Sequence, residues 1–179
     1  EYAGLQAQEI SVDVKLLATA STLGVVELRD IELGGIHELA QLRDVKLFVF
    51  SSDSSFLLAG TGDGAVHKLS LPSGEKQFVV PARDEQGQRL VSLAIGGQEN
   101  AWILVGRSHS IDLVETRDGR ETWSLAQLMP VQLVRFASLS SFIVLVEGPL
   151  VLNFCLWGFD RSERWRVRPF PQRKWSMDW

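Results

Sequence analysis

Cysteine is nearly absent. Cys155 is the only one in 179 residues, so no disulfide can close within the chain. No Asn-x-Ser/Thr acceptor occurs, and without a disulfide framework or a glycosylation signal nothing points to secretion. An intracellular setting, cytoplasmic or nuclear, is expected. Long apolar runs are missing too. The longest, Phe142 to Val146, meets Glu147, Gly148 and Pro149 and falls far short of the roughly 20 residues of a spanning helix. Neither an initiator methionine nor a leader opens the chain at Glu1, so it reads as an excerpt of something longer. An excess of one charge is also lacking: 18 basic and 22 acidic residues leave a net −4. With 45% apolar and 22% charged residues, the balance is that of an ordinary globular chain. Disordered, collagen-like and strongly basic nucleic-acid-binding chains are poor fits.

Reactive constellations are equally scarce. His37, His67 and His109 stand in no metal-type spacing with one another or with Cys155. Ser108-His109-Ser110 sets a hydroxyl beside an imidazole, but neighbouring residues point apart and no Gly-x-Ser-x-Gly elbow exists. Cys155 sits in the apolar run Phe154-Cys155-Leu156-Trp157 and reads as an inert core thiol. The carboxylates Asp112, Glu115, Asp118 and Glu121 straddle a turn, which makes them a solvated hairpin tip rather than an acid/base pair. Gly60-Thr61-Gly62-Asp63-Gly64 lacks the lysine and following helix of a phosphate loop, so it reads as a hairpin turn. No catalytic, metal or cofactor-binding residues are assigned, and no cofactor is expected.

What the chain does have is faint internal repetition. Leu16-Leu17-Ala18 aligns with Leu57-Leu58-Ala59, Phe56 to Gly60 with Trp102 to Gly106, and that segment with Phe142 to Val146, at offsets of 41, 46 and 40 residues. Each anchor is followed by a turn and a second β-rich run: Gly24 to Leu28, Gly64 to Leu69, Ser110 to Val114 and Pro149 to Phe154. A further turn then precedes an apolar residue four positions on: Gly35 with Leu39, Gly74 with Phe78, Gly119 with Trp123. Ser162 and Trp165 stand roughly there in a degenerate fourth copy. Before each anchor lies another strand-like run: Ile10 to Val14, Val45 to Phe50, Leu90 to Ile95 and Val131 to Phe136. Gly35 to Asp44 and Glu121 to Met129 carry neither the caps nor the 3.6-residue stripe of helices.

Four strands per unit and four units predict an all-β chain of propeller blades, because one four-stranded meander cannot cover both its faces and copies stacked radially can. The blades fall at about 10–40, 45–80, 89–125 and 131–165, a partial propeller over 1–165 that belongs to a larger ring. Residues 166–179 form a basic, tryptophan-containing tail.

These units resemble the β-propeller repeats of the WD-repeat and quinoprotein-like groups over roughly residues 10 to 165. Phe50 to Leu69 looks like the middle of a WD-type blade, and Gly119-Arg120-Glu121-Thr122-Trp123 is similar to the ending of a quinoprotein-type repeat. The Trp-Asp pair that closes the third strand of a WD repeat is replaced by Arg29-Asp30, Leu69-Ser70, Val114-Glu115 and Leu156-Trp157. The resemblance implies a rigid scaffold in a multiprotein assembly, not an enzyme, with other protein subunits as partners. Its rival is a quinoprotein-like or other propeller enzyme fragment.

The second-to-third-strand tips supply candidate contacts: Thr61, Asp63, Arg107 and His109. The basic C-terminal stretch supplies Arg164, Arg166, Arg168, Trp175 and Trp179. Residues 161 to 174 carry a net +5 and leave −9 for the rest of the chain. Arginine and tryptophan are enriched at binding hot spots, which favours protein docking by this stretch. Packing back over the last blade, or binding nucleic acid or acidic lipid, are the competing roles.

Overall fold

The computed structural model describes residues 4–82, 88–126, 130–139, 141–147, 152–159 and 165–169. They form sixteen strands in four antiparallel four-stranded sheets. Blade 1 holds β1 (Leu5–Ile10), β2 (Leu16–Ser21), β3 (Val25–Asp30) and β4 (Ile36–Gln41). Blade 2 holds β5 (Val45–Phe50), β6 (Phe56–Thr61), β7 (Val66–Ser70) and β8 (Lys76–Val80). Blade 3 holds β9 (Leu90–Gly96), β10 (Trp102–Arg107), β11 (Ser110–Glu115) and β12 (Glu121–Ala126). Blade 4 holds β13 (Val131–Ser138), β14 (Ser141–Glu147), β15 (Leu152–Phe159) and β16 (Trp165–Pro169). Each sheet is a simple meander, each strand paired with its sequence neighbour.

The core lies between sheets. All six residues of β6 are buried, because a strand whose two faces both meet another sheet has no side left for water. Alternation decides which neighbour each residue meets: Leu57 and Ala59 join Ala18, Val26 and Leu28 of blade 1, whereas Phe56 and Leu58 join Leu93, Ile103 and Val105 of blade 3. Leu104, Ile111 and Leu113 then meet Val134, Phe142 and Val144 of blade 4. First strands approach one another in series, β1 against β5, β5 against β9 and β9 against β13, so the blades converge on a common axis. Ser92 and Arg135 tie β9 to β13: the Val134 N–H donates to Ser92 Oγ at 3.2 Å and Arg135 Nη1 to the Leu93 carbonyl at 2.9 Å.

Repeat register differs from the sequence alignment at two joints. Gly24 (φ 90°) and Gly64 (φ 91°) occupy the same turn, as do Gly34 (φ 72°) and Gly74 (φ 73°), so blades 1 and 2 repeat every 40 residues rather than 41. The turn glycine of blade 1 is therefore Gly34, not Gly35. Phe142, as the second residue of β14, stands where Ile103 stands in β10, an offset of 39 rather than 40. A slip of one residue exchanges the two faces of a strand, so these corrections decide which side chains meet which neighbour.

The first strand is also displaced. Ile10 to Val14 was expected to be a strand, yet β1 ends at Ile10 and 11–15 form a turn. Ser11 Oγ accepts from the Leu16 N–H at 2.9 Å and Asp13 Oδ1 from the Lys15 N–H at 3.3 Å, while Val14 adopts φ 61°. Short polar side chains thus satisfy amides that a strand would pair. Ser51, Asp53 and Ser54 repeat the device forty residues on, with Ser54 at φ 57°. At the other end, β16 pairs with β15 from Phe159↔Trp165 to Cys155↔Pro169. The first four residues of the expected tail therefore belong to a strand, and 170–179 lie outside the described residues.

The array is open. Leu5, Ile10 and Ile36 are 61%, 51% and 49% exposed on the face of blade 1 turned away from blade 2.

Candidate functional site

The β6–β7 tip is organised by its own side chains. Thr61 is buried and its hydroxyl donates to Asp63 Oδ1 at 2.5 Å, while the Ala65 N–H donates to the same oxygen at 3.1 Å. The Thr61 hydroxyl, chiefly, holds the Asp63 carboxyl below the usual aspartate value; burial opposes it, and the Ala65 N–H and His67 help. Asp63 itself is exposed, as is His109 at the β10–β11 tip.

Arg107 corrects the sequence reading. Expected as an exposed contact, it is 1% exposed, with Nε 2.9 Å from Oδ2 of the fully buried Asp112. Its Nη1 donates to the Gly64 carbonyl and its Nη2 to the Pro81 carbonyl at 3.2 Å. Ser124 donates to the other Asp112 oxygen at 2.6 Å. The guanidinium thus rivets the blade 3 hairpin to the blade 2 hairpin, and the two sequence-predicted tips abut through it. Gly64 is required there: beyond its φ of 91°, an added Cβ would stand 2.7 Å from Arg107 Nη1. Of the C-terminal candidates, Arg166 and Arg168 hold register positions opposite Gly158 and Leu156 in β16. Arg164, Trp175 and Trp179 lie outside the described residues.

At the opposite ends of these strands, a cleft of about 770 Å³ separates blades 2 and 3. Sequence reasoning missed it. Phe56 and Trp102 contribute apolar walls, and Lys68 and Thr116 lie between them. Lys68 is 8% exposed, donates from Nζ to the Thr116 carbonyl at 2.9 Å and sits 4.4 Å from the centre of the Phe56 ring. Burial pulls its pKa below the ordinary lysine value, and Asp53 opposes that shift. The Thr116 hydroxyl is buried and has no hydrogen-bond partner among the described residues. The available signal was a lysine on the same face as Val66 in a strand sandwiched between two sheets.

Two further surfaces follow from the openness of the array. The first strands line a groove of about 440 Å³ with Leu47, Val49, Leu93, Leu133, Glu9 and Arg135. Blade 1 presents Leu5, Gln8, Ile10, Leu17, Thr19 and Arg29 where blade 2, forty residues on, buries Val45, Phe48, Phe50, Leu57, Ala59 and Leu69 against its neighbour. Among the described residues no three His, Cys, Asp or Glu side chains gather to hold a metal, and no helix is long and apolar enough to cross a membrane. The geometry offers docking faces.

Four radially stacked meanders define the class: this is a β-propeller array. Solved structures agree. The chain is similar to the WD40 repeats of RRP9 (TM-score 0.71, 12% identity, 93% of this chain and 51% of that one). It is also similar to U3-55K (0.70, 12%, 96% and 54%) and to the Cps50 (Swd1) β-propeller domain of Myceliophteria thermophila (0.65, 10%, 84% and 52%). The chain spans about half the length of these neighbours. No protein-family model and no curated protein sequence matches it.

Proposed function

We propose that this chain is a non-catalytic protein–protein scaffold, a propeller segment of an intracellular multiprotein assembly. The uncovered face of blade 1 carries the reading. Leu5, Ile10, Leu17 and Ile36 lie on the sheet face that blade 2 uses to pack on blade 1, so the surface has the shape of an interblade contact with its neighbour missing. Its occupant is a further antiparallel sheet that continues the propeller. Gln8, Thr19, Glu27 and Arg29 make this face more polar than the seam between blades 1 and 2, which suits a contact formed between separately folded parts. The tips bearing Asp63 and His109, and the basic C-terminal residues, offer additional contacts for protein subunits.

The test is cross-linking mass spectrometry on the native assembly, comparing the natural chain with an Ile10→Asp/Ile36→Asp variant. Both positions are about half exposed, so the variant keeps its fold. Protein subunits cross-linked through Lys15, beside β1, should be present with the natural chain and lost with the variant. A chain that runs alone in native extract, or an assembly indifferent to the double substitution, contradicts the reading. Salt-sensitive oligonucleotide binding in place of protein partners would shift the function to nucleic acid.

A further inference from the structure

The seams between blades share one rule. In each second strand the second residue meets the preceding blade and the third residue meets the following one. Leu57 packs with blade 1 and Leu58 with blade 3, while Ile103 packs with blade 2 and Leu104 with blade 4. Every internal seam therefore joins the third-residue face of one sheet to the second-residue face of the next. The rule leaves one slot open at each end of the array. Leu17, the second residue of β2, is half-buried where its counterparts Leu57, Ile103 and Phe142 have no exposure. Ile143, the third residue of β14, is 38% exposed where Ala18, Leu58 and Leu104 have none. The outer faces of blades 1 and 4 are thus the two kinds of face that each internal seam brings together.

Apolar content and charge match as well. Blade 1 presents Leu5, Ile10 and Ile36, and blade 4 presents Ile143 and, opposite Leu145, an exposed Leu133. Glu27 and Glu38 of blade 1 stand directly opposite each other in neighbouring strands, with Arg29 opposite Ile36 in the adjoining row. Two carboxylates so placed repel unless a cation joins them. On blade 4, Arg135 stands opposite Ile143, and β16 sets Arg166 and Arg168 in register with Gly158 and Leu156, and through them with Ser141 and Ile143. An acidic pair at one end of the array has basic positions to meet at the other. Four blades span about half of the propeller neighbours, so four more complete a ring. A contact between two unlike faces closes into such a ring when the rotation it imposes returns to the start.

We infer that a second copy of this chain covers blade 1. The outer face of blade 4 in one copy packs on the outer face of blade 1 in the other, and a two-fold axis repeats the seam. The inference rests on the scaffold reading and names the sheet that completes the propeller.

Sedimentation velocity of the 179-residue chain over a concentration series reads the association. Monomer and dimer are expected, with no larger species, because the closed ring leaves no face open. Ile10→Asp/Ile36→Asp and Ile143→Asp should each weaken the dimer about tenfold or more, since each puts carboxylates into both apolar seams. Glu27→Lys/Glu38→Lys changes only polar positions of the open face, so it tests the contact even where Ile143→Asp disturbs folding. It should weaken the dimer, and adding Arg166→Glu/Arg168→Glu to the same chain should recover it. A chain that stays monomeric, a species that grows beyond the dimer, a dimer that survives substitution of either face, or a charge exchange without recovery overturns the inference. In native extract, differently tagged copies should recover one another. Other subunits recovered without the second copy, and lost with Ile10→Asp/Ile36→Asp, would sink the second copy and leave the scaffold standing. A chain recovered with no protein at all contradicts both.

Discussion

Arg107 is the residue at which the sequence and the structure disagree most, and its substitution separates them. At an exposed hairpin tip Arg107→Met would change stability by no more than about 0.5 kcal/mol. In the structure it removes a guanidinium that is 1% exposed and strands the fully buried Asp112, together with the carbonyls of Gly64 and Pro81. Breaking a buried pair from one side costs about 3–5 kcal/mol, most of it the uncompensated charge left behind. For a chain of this length that corresponds to a fall in melting temperature of about 6 to 20 °C. Arg107→Met/Asp112→Leu removes both charges and should recover most of the loss, since well-packed apolar replacements of buried pairs are often neutral. Thermal and denaturant unfolding of the natural chain, both single variants and the double variant close the cycle. A single-variant loss below about 1 kcal/mol, or a double variant as unstable as the sum of the singles, refutes the buried rivet.

The register of forty residues makes a paired forecast: Leu57→Ala, at a position with no exposure, should cost about 2–5 kcal/mol, and its counterpart Leu17→Ala about 1 kcal/mol or less, read by denaturant midpoints. Gly60→Val should destabilise by about 1–3 kcal/mol in the same assay, because a side chain there runs into Leu90 and Leu93 across the blade 2 and blade 3 seam. Asp13, Asp53 and Asp63 all have folded pKa values below the ordinary aspartate value. The stability they lend is present above the unfolded value of about 3.9 and is lost as pH falls through the lower folded values. Thr61→Val should raise the Asp63 pKa toward the ordinary value in a carboxyl NMR titration, and an unchanged titration would remove Thr61 as the cause.

The propeller was legible because its signal is local. Runs such as Phe56 to Gly60 and Ile103 to Val105 are apolar on both faces, the turn glycines Gly64, Gly74 and Gly119 punctuate them, and these features alone imply sheets sandwiched between sheets. Register was harder. Leu16-Leu17-Ala18 matches Leu57-Leu58-Ala59 by identity at 41 residues, but hydrogen bonding of the flanking turns sets the spacing at 40. Identity between apolar neighbours says little about which face each occupies, whereas Ser11 with Asp13 and Ser51 with Asp53 fix the turn and so the parity. Ile10 to Val14 looked like a strand because two valines alternate with polar residues; the Ser11 and Asp13 side chains outcompete the ladder there. The burial of Arg107 and Lys68 was hidden for another reason. Apart from Asp112, five residues beyond Arg107 in the same hairpin, their partners, Gly64 and Pro81 for one and Thr116 for the other, lie 26 to 48 residues away on a different blade, and no local pattern announces a contact of that range.

Covalent footprinting with a carbene reagent reports most directly on the open face of blade 1. In the isolated 179-residue chain at monomeric concentration Ile10 and Ile36 should label freely, while Leu57 stays unlabelled; in the native assembly Ile10 and Ile36 should be protected. Protection already complete in the isolated monomer, or labelling undiminished in the assembly, would contradict a propeller segment completed by a neighbouring sheet.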